Sequence, residues 1–307
     1  MNALRQRGVA IVLALGVVAL AAIAAAAILA SQSIWSRHAE LGAEHMQAQA
    51  LVQAGIDWGR ALLSDDRRLS SIDHLGEPWA LRLPPVPVDN GELAGQIEEQ
   101  QGLFNLNNLV RSGKVSPAQV AQFQRLLEIL ALPDALAASL ADWLDADGEP
   151  QPPPQSGAES GYYQGLQPPY LAANRPLGDV AELALVRGFD EAVRTRLRPF
   201  VTALPRFTPV NVNTAPPEVL AAVVSNLDLD QARALTAQRG RAYFRNPSEF
   251  LAQLPSGAVA DGNDVTTASQ YFVASARVTI GGAQARGSAL LERESTGWPT
   301  VVWRKYP

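Results

Sequence analysis

Asp142, Asp145, Asp147 and Glu149 place four carboxylates within eight residues, and Glu159 follows across a proline-rich stretch. Unpaired carboxylates this close repel one another, so either the loop is well solvated or a cation sits among them. Hard oxygen donors with no Cys or His beside them suit Ca2+ better than Zn2+ or copper. The spacing is not that of an EF-hand. That loop ends on a Glu at position 12, and counting from Asp145 position 12 is Ser156.

No other set of side chains points to catalysis. The sequence has no cysteine, which removes disulfides, thiolate metal sites and Cys nucleophiles together. His38 and His45 fall on an N-terminal helical stretch and His74 in a loop after it, none beside an evident nucleophile or metal partner. Ser156 lacks a G-x-S-x-G elbow. Trp143, Tyr162, Tyr163 and Tyr170 read as core and loop anchors rather than a ligand platform. Twenty-five Lys and Arg against thirty Asp and Glu give a net charge of −5, which offers no general attraction to phosphate backbones or acidic lipid. The chain is therefore read as a structural protein, not an enzyme.

The elements that must position the carboxylates begin at a membrane. Residues 9–30 hold no charge and no proline, and as a helix rising ~1.5 Å per residue they span the ~30 Å hydrocarbon layer. Arg5 and Arg7 precede them, placing the N-terminus in the cytoplasm and the rest of the chain outside. A cleavable secretory signal has the same charge pattern, although its apolar core is shorter, about 7 to 15 residues. After Ser31, Ile34, Leu41, Ala48, Val52, Ile56 and Leu63 continue one amphipathic helix, with Asp65, Asp66, Arg67 and Arg68 as the loop that ends it.

Residues 79–87 read as extended and residues 92–101 as an exposed strand. Helical periodicity then takes over: Val120, Phe123, Leu126, Leu127 and Leu130 form one face, and Leu136, Leu140, Trp143 and Leu144 a second, shorter one. Residues 150–170 are a long loop with six prolines and three glycines. Further helices are expected over residues 180–188, opening within 211–217 and running through 224 with Thr214 as N-cap and the prolines in the first turn, and over 230–239 and 247–254. Strands return at residues 271–280, 284–294 and 299–306, the first two joined by Gly281 and Gly282. Helices inserted within a sheet explain this order most economically.

Residues 211–220 (NVNTAPPEVL) and 241–250 also look like a helix-hairpin-helix unit of DNA-binding proteins. The hairpin position, residues 226–230, carries Asp228 and Asp230 and no glycine, so it would repel a phosphate and deny it close backbone approach. The hairpin is read as a packing module, and nucleic acid is not an expected partner.

A basic leader, Gly8 and then a long apolar helix resemble the class III signal of type IV pilins and pseudopilins. The run from Asp142 through Asp147, then Gly157, Ala158, Glu159, Tyr162 and Tyr163, and Pro169, Tyr170, Asn174, Pro176 and Leu177 resemble the minor pseudopilin K family of type II secretion. FNLNNL at 104–109, ELALVRG at 182–188 and NVNTAPP at 211–217 fit the same family, and the likeness covers nearly the whole chain.

The resemblance implies a structural subunit capping the tip of a periplasmic pseudopilus that exports folded proteins, with a minor pilin of a type IV pilus as the runner-up. It implies cleavage between Gly8 and Val9 by a prepilin peptidase and N-methylation of the new terminus. It also implies bound calcium in the helical domain, with Asp142, Asp145, Asp147, Glu149 and Glu159 as candidate ligands. Expected partners are the I-type and J-type minor pseudopilins, and the expected location is the inner membrane, single-pass, with the C-terminal domain in the periplasm. The fold expected is α+β and pilin-like, a long N-terminal helix packed on an antiparallel sheet, with an inserted SAM-like or helix-hairpin-helix-like domain. The boundaries expected are 1–8 for the leader, 9–64 for the stem, and 65–107 and 256–307 for the pilin-like parts. The inserted subdomains are expected at 108–205 and 206–255. Pilins generally carry a Glu at the fifth mature residue, as a counter-charge for a neighbour's N-terminus; here that position is Leu13.

Overall fold

The computed structural model describes residues 3–82, 84–88, 90–151, 157–294 and 297–306. Helix α1 (Ala3–Leu69) is continuous and passes straight through the expected loop at Asp65–Arg68. The charges there suit a helix end: Arg67 and Arg68 lie in the last turn, facing the negative pole of the helix dipole, and Arg68 pairs with Asp65 at 3.0 Å. Ala48, Val52, Ile56 and Leu63 are fully buried as the amphipathic pattern requires, whereas Leu41 is exposed and the Ile34 side chain lies outside the described residues.

The helix packs on a five-stranded antiparallel meander of β1 (Val86–Val88), β2 (Gly91–Glu99), β3 (Tyr271–Ile280), β4 (Ala283–Glu292) and β5 (Thr300–Lys305), in that spatial order. Alternate residues of β3, from Phe272 through Ala274, Ala276 and Val278 to Ile280, face the helix and form one core with it. Gly55 lets the two approach closely, since a Cβ there would lie 3.1 Å from the Cβ of Ala276. The stretch expected to be an exposed strand is β2, none of whose residues is buried, and it pairs on both sides, between β1 and β3.

Among the described residues every α-helix beyond α1 emerges between β2 and β3, from residues 100–270. These two strands pair directly, with Glu99 opposite Phe272, and Gln100 N–H donates to the Tyr271 carbonyl at 3.0 Å. Both edges of this segment lie outside the expected boundaries at 108 and 255: Phe104–Asn105 pairs with Val201–Thr202, and Val210–Asn211 with Val265–Thr266, each in parallel. It contains α2 (Pro117–Ile129), α3 (Ala135–Leu144), α4 (Ser160–Gln164), α5 (Glu191–Leu197), α6 (Pro217–Val223), α7 (Leu229–Arg239) and α8 (Pro247–Ala252). Its own apolar core gathers Phe104, Phe123, Trp143, Tyr163, Leu220 and Phe250.

Three local readings differ from the structure. Residues 180–188 yield only a 3-10 turn, Val180–Leu185, which begins where Asp179 accepts the Ala181 N–H. Thr214 does not cap α6; its hydroxyl donates to half-buried Glu99, and Pro216 stands at the N-cap without a side-chain bond. The expected loop at 150–170 contains α4, while Ser156 lies outside the described residues. Asp228, by contrast, closes a capping box with Gln231 at the start of α7.

The asparagines of FNLNNL hold the insertion together. Asn107 donates to the carbonyls of Leu177 at 3.0 Å and Leu204 at 2.9 Å and accepts the Leu177 N–H at 2.8 Å. Asn105 accepts the Leu204 N–H, and Asn108 exchanges two bonds with the Thr208 backbone. Such buried amides replace the ladder that short segments lack. Asn107→Leu should cost about 2–4 kcal/mol, because it strands buried backbone groups of two segments. The urea midpoint of the full-length chain checks this, and a midpoint like that of the unsubstituted chain refutes it.

Candidate functional site

Asp142 stands in the last turn of α3, Asp145 is that helix's C-cap, and Glu159 is the N-cap of α4. The end of one helix and the start of the next thus deliver three carboxylates to one point. One oxygen from each lies within 4.8 Å of the others, and all three residues are buried. Neither oxygen of Asp145 nor either oxygen of Glu159 has a hydrogen-bond partner. The Asp142 carboxylate accepts only modest bonds from Gln151 N–H, at 3.1 and 3.2 Å. Gly157 is required beside it, since a Cβ there would sit 1.8 Å from Asp142 Oδ2.

The electrostatics are those of uncompensated negative charge. Burial above all, then the charges of Asp147, Glu159 and Asp142, push the Asp145 carboxyl up to about 7. Burial likewise raises Asp142 and Glu159. Among the described residues no Lys, Arg or His forms an ion pair with any of the three. Arg187 comes near, but its guanidinium donates to the Gly157 carbonyl at 3.2 Å and lies over Tyr162. Four orphaned carboxylate oxygens in a closed, all-oxygen donor set fit a hard divalent cation and leave soft-metal chemistry without ligands.

Of the five candidate ligands, Asp142, Asp145 and Glu159 are brought together. Asp147 is exposed at the margin: its carboxylate accepts the Glu149 N–H at 3.0 Å, and its carbonyl accepts from Asn174 at 2.9 Å. The Glu149 side chain is exposed, outside the group of three. Trp143, Tyr163 and Tyr170 back the site as a packed aromatic cluster, with ring centroids 5.0 to 6.2 Å apart. Of the histidines, His74 stacks on Tyr243 at 4.0 Å and His45 hydrogen-bonds Gln49 on the stem.

A second buried charge cluster carries no sequence signal. Arg293, just past β4, donates to Asp66 on α1 at 2.7 Å, to Asp73, and to the Ser269 carbonyl at 3.1 Å. Its two carboxylate partners lie more than 200 residues away in the chain, so spacing along the sequence could not reveal it.

Family models for the type II secretion system (T2SS) protein K match residues 102–206 and 210–271. The type II secretion system protein K of Pseudomonas aeruginosa PAO1 is 38% identical, over 97% of this chain and 92% of that one. The chain belongs to the type II secretion system protein K family. The Klebsiella pneumoniae member is 32% identical over 98% of this chain and 97% of its own. Among solved structures, a chain of the GspK-GspI-GspJ complex of enterotoxigenic Escherichia coli superposes with a TM-score of 0.78 at 27% identity, covering 88% of this chain and 99% of that one. The expected pilin-like fold with an inserted helical domain is thus borne out. In this protein K, α1 is the one helix among the described residues long and apolar enough to cross a membrane.

Proposed function

We propose that this protein K caps a type II secretion pseudopilus as a single copy, bound to I-type and J-type minor pseudopilins, and has no catalytic role. The observation that carries the reading is where the helical bulk leaves the frame. Along α1, Glu44 accepts the Gly282 N–H at the β3–β4 turn, Gly55 meets Ala276, and Asp66 meets Arg293. The insertion therefore departs from the sheet end beside the C-terminus of α1, remote from the apolar span, where it would block another subunit from stacking above. Leu13 agrees: a buried neighbouring ammonium without a carboxylate costs several kcal/mol, so the chain suits a position with no subunit ahead of it. The GspK-GspI-GspJ complex supports the choice of partners.

Cross-linking tests the reading. Met46 is 70% exposed on the stem, whereas Ala48 is buried under the sheet. Met46→Cys should give adducts with other minor pseudopilins and none with itself. Self-adducts at regular spacing would mean a repeating shaft subunit.

The same reading places the C-terminal domain in the periplasm, since Arg5 and Arg7 hold the leader in the cytoplasm. It takes cleavage between Gly8 and Val9, where a residue without a side chain meets the apolar helix. Intact mass after co-expression with a prepilin peptidase should show loss of residues 1–8, plus one methyl group. A retained leader, or a cut after Ala30, refutes this. Calcium is proposed as the structural ion, held by Asp142, Asp145 and Glu159, with Asp147 assisting from the margin.

A further inference from the structure

The outer face of the sheet, turned away from α1, carries an open cleft of about 630 Å³. Its floor is made of small groups, Gly95, Ser275 and Ser288, and the charged residues lining it are Arg82, Arg198, Arg277 and Arg286. They come from four places: the segment before β1, the end of α5, β3 and β4. No carboxylate lines it, on a chain whose net charge is −5. Arg277 and Arg286 sit directly opposite each other on β3 and β4, a placement that opposes pairing of the strands. All four arginines are exposed, and among the described residues none donates a side-chain hydrogen bond, forms an ion pair or stacks on a ring. Some other arginines are engaged in ion pairs, as Arg60, Arg206, Arg233 and Arg293 illustrate, whereas among the described residues exposed Arg241 and Arg245 are not, so what sets the four apart is their convergence on one cleft.

We propose that this cleft is a docking surface for a short, carboxylate-rich polypeptide segment of a partner protein. Guanidinium groups accept carboxylates bidentately, and a floor of glycine and serine leaves room for an extended backbone. A lipid surface does not fit the position. Gly55 packs against Ala276, next to Arg277, and the apolar run ends at Ala30; the intervening 25 residues of helix set the cleft about 37 Å beyond the membrane. A long polyanion does not fit either, because Glu92 and Glu98 stand on the same outer face of β2 and bracket the strand. An acidic segment of a few residues avoids both. The proposal rests on the cleft alone and does not depend on the capping role.

The test uses the full-length chain in neutral detergent and a labelled oligoglutamate peptide, read by fluorescence anisotropy. The peptide should bind, and raising salt from about 0.05 to about 0.5 M should weaken it strongly. The double variant Arg277→Gln with Arg286→Gln should lose at least about tenfold in affinity without a fall in melting temperature, since it also relieves the repulsion between the paired strands. Arg241→Gln with Arg245→Gln, exposed in the loop between α7 and α8, should leave affinity unchanged. No binding, or equal loss in both double variants, overturns the proposal. So does a result in which the cleft variant loses affinity for phosphatidylglycerol vesicles or duplex DNA but not for the peptide.

Discussion

Arg293→Met should destabilise the protein by about 3–5 kcal/mol, one of the two largest effects expected of a single change. The guanidinium is inaccessible to solvent and lies between Asp66 and Asp73, which are themselves buried. It also donates to the Leu63 and Ser269 carbonyls and lies over the Phe272 ring at 4.6 Å. Removing it leaves two buried carboxylates facing each other; burial already raises Asp73, and Arg293 is the main opposing influence. The loss should be a stranded-charge effect more than a lost attraction. Arg293→Met combined with Asp66→Asn and Asp73→Asn should therefore recover a large part of it. Urea denaturation of the three proteins decides this: if the triple variant is no more stable than Arg293→Met, the effect lies in packing.

Calcium should produce the other large effect, and reverse a pH dependence. Binding only the folded state at about 100-fold excess over Kd stabilises by about 2.7 kcal/mol, so chelation should lower the melting temperature by the corresponding amount. In the metal-free protein the folded Asp145 carboxyl is raised to about 7, above its ordinary value. The folded state then holds more protons than the unfolded one between about pH 4 and pH 7. Metal-free stability is thus greatest at low pH within that window and falls as pH rises through it. With calcium bound the carboxylates must be ionised, and stability should instead be lost as pH falls. Asp145→Asn should abolish the calcium response and raise metal-free stability near pH 7. Melting curves from pH 4 to pH 8 with calcium and with chelator check both signs; parallel curves would mean that no ion binds there.

What was legible in the sequence was whatever repeats locally. The stem pattern at Ala48, Val52, Ile56 and Leu63, the period of α2, and the glycine turn between β3 and β4 each follow from spacing alone. Asp142 and Asp145 could be read as candidates because they belong to four carboxylates crowded into eight residues. Glu159 was the weaker addition, since a proline loop intervenes and no periodicity links it to α3. Long-range matters were not legible. Glu99 at the end of β2 reads as one more surface acid, yet it is half-buried and accepts from Gly102 N–H and the Thr214 hydroxyl, with desolvation raising it to about 7. Arg277 and Arg286 are nine residues apart, a spacing that carries no signal in sequence; only strand register sets them face to face.

Because β2 and β3 are adjacent strands separated by residues 100–270, the sheet is completed in an awkward order as the chain is made and exported. The stem and β2 cross the membrane early, while their partners β3, β4 and β5 follow about 170 residues later. Until then only Leu93 and Ile97 of β2 are at hand to cover the core around Val52 and Ile56, and closing so long a loop is entropically slow unless its ends are first drawn together. The insertion does this itself once folded, since its two ends meet at Gln100 and Tyr271. A domain that adds bulk to the finished protein thus also acts as the clamp that lets the strands zip, and damage to its core should surface as aggregation of the stem.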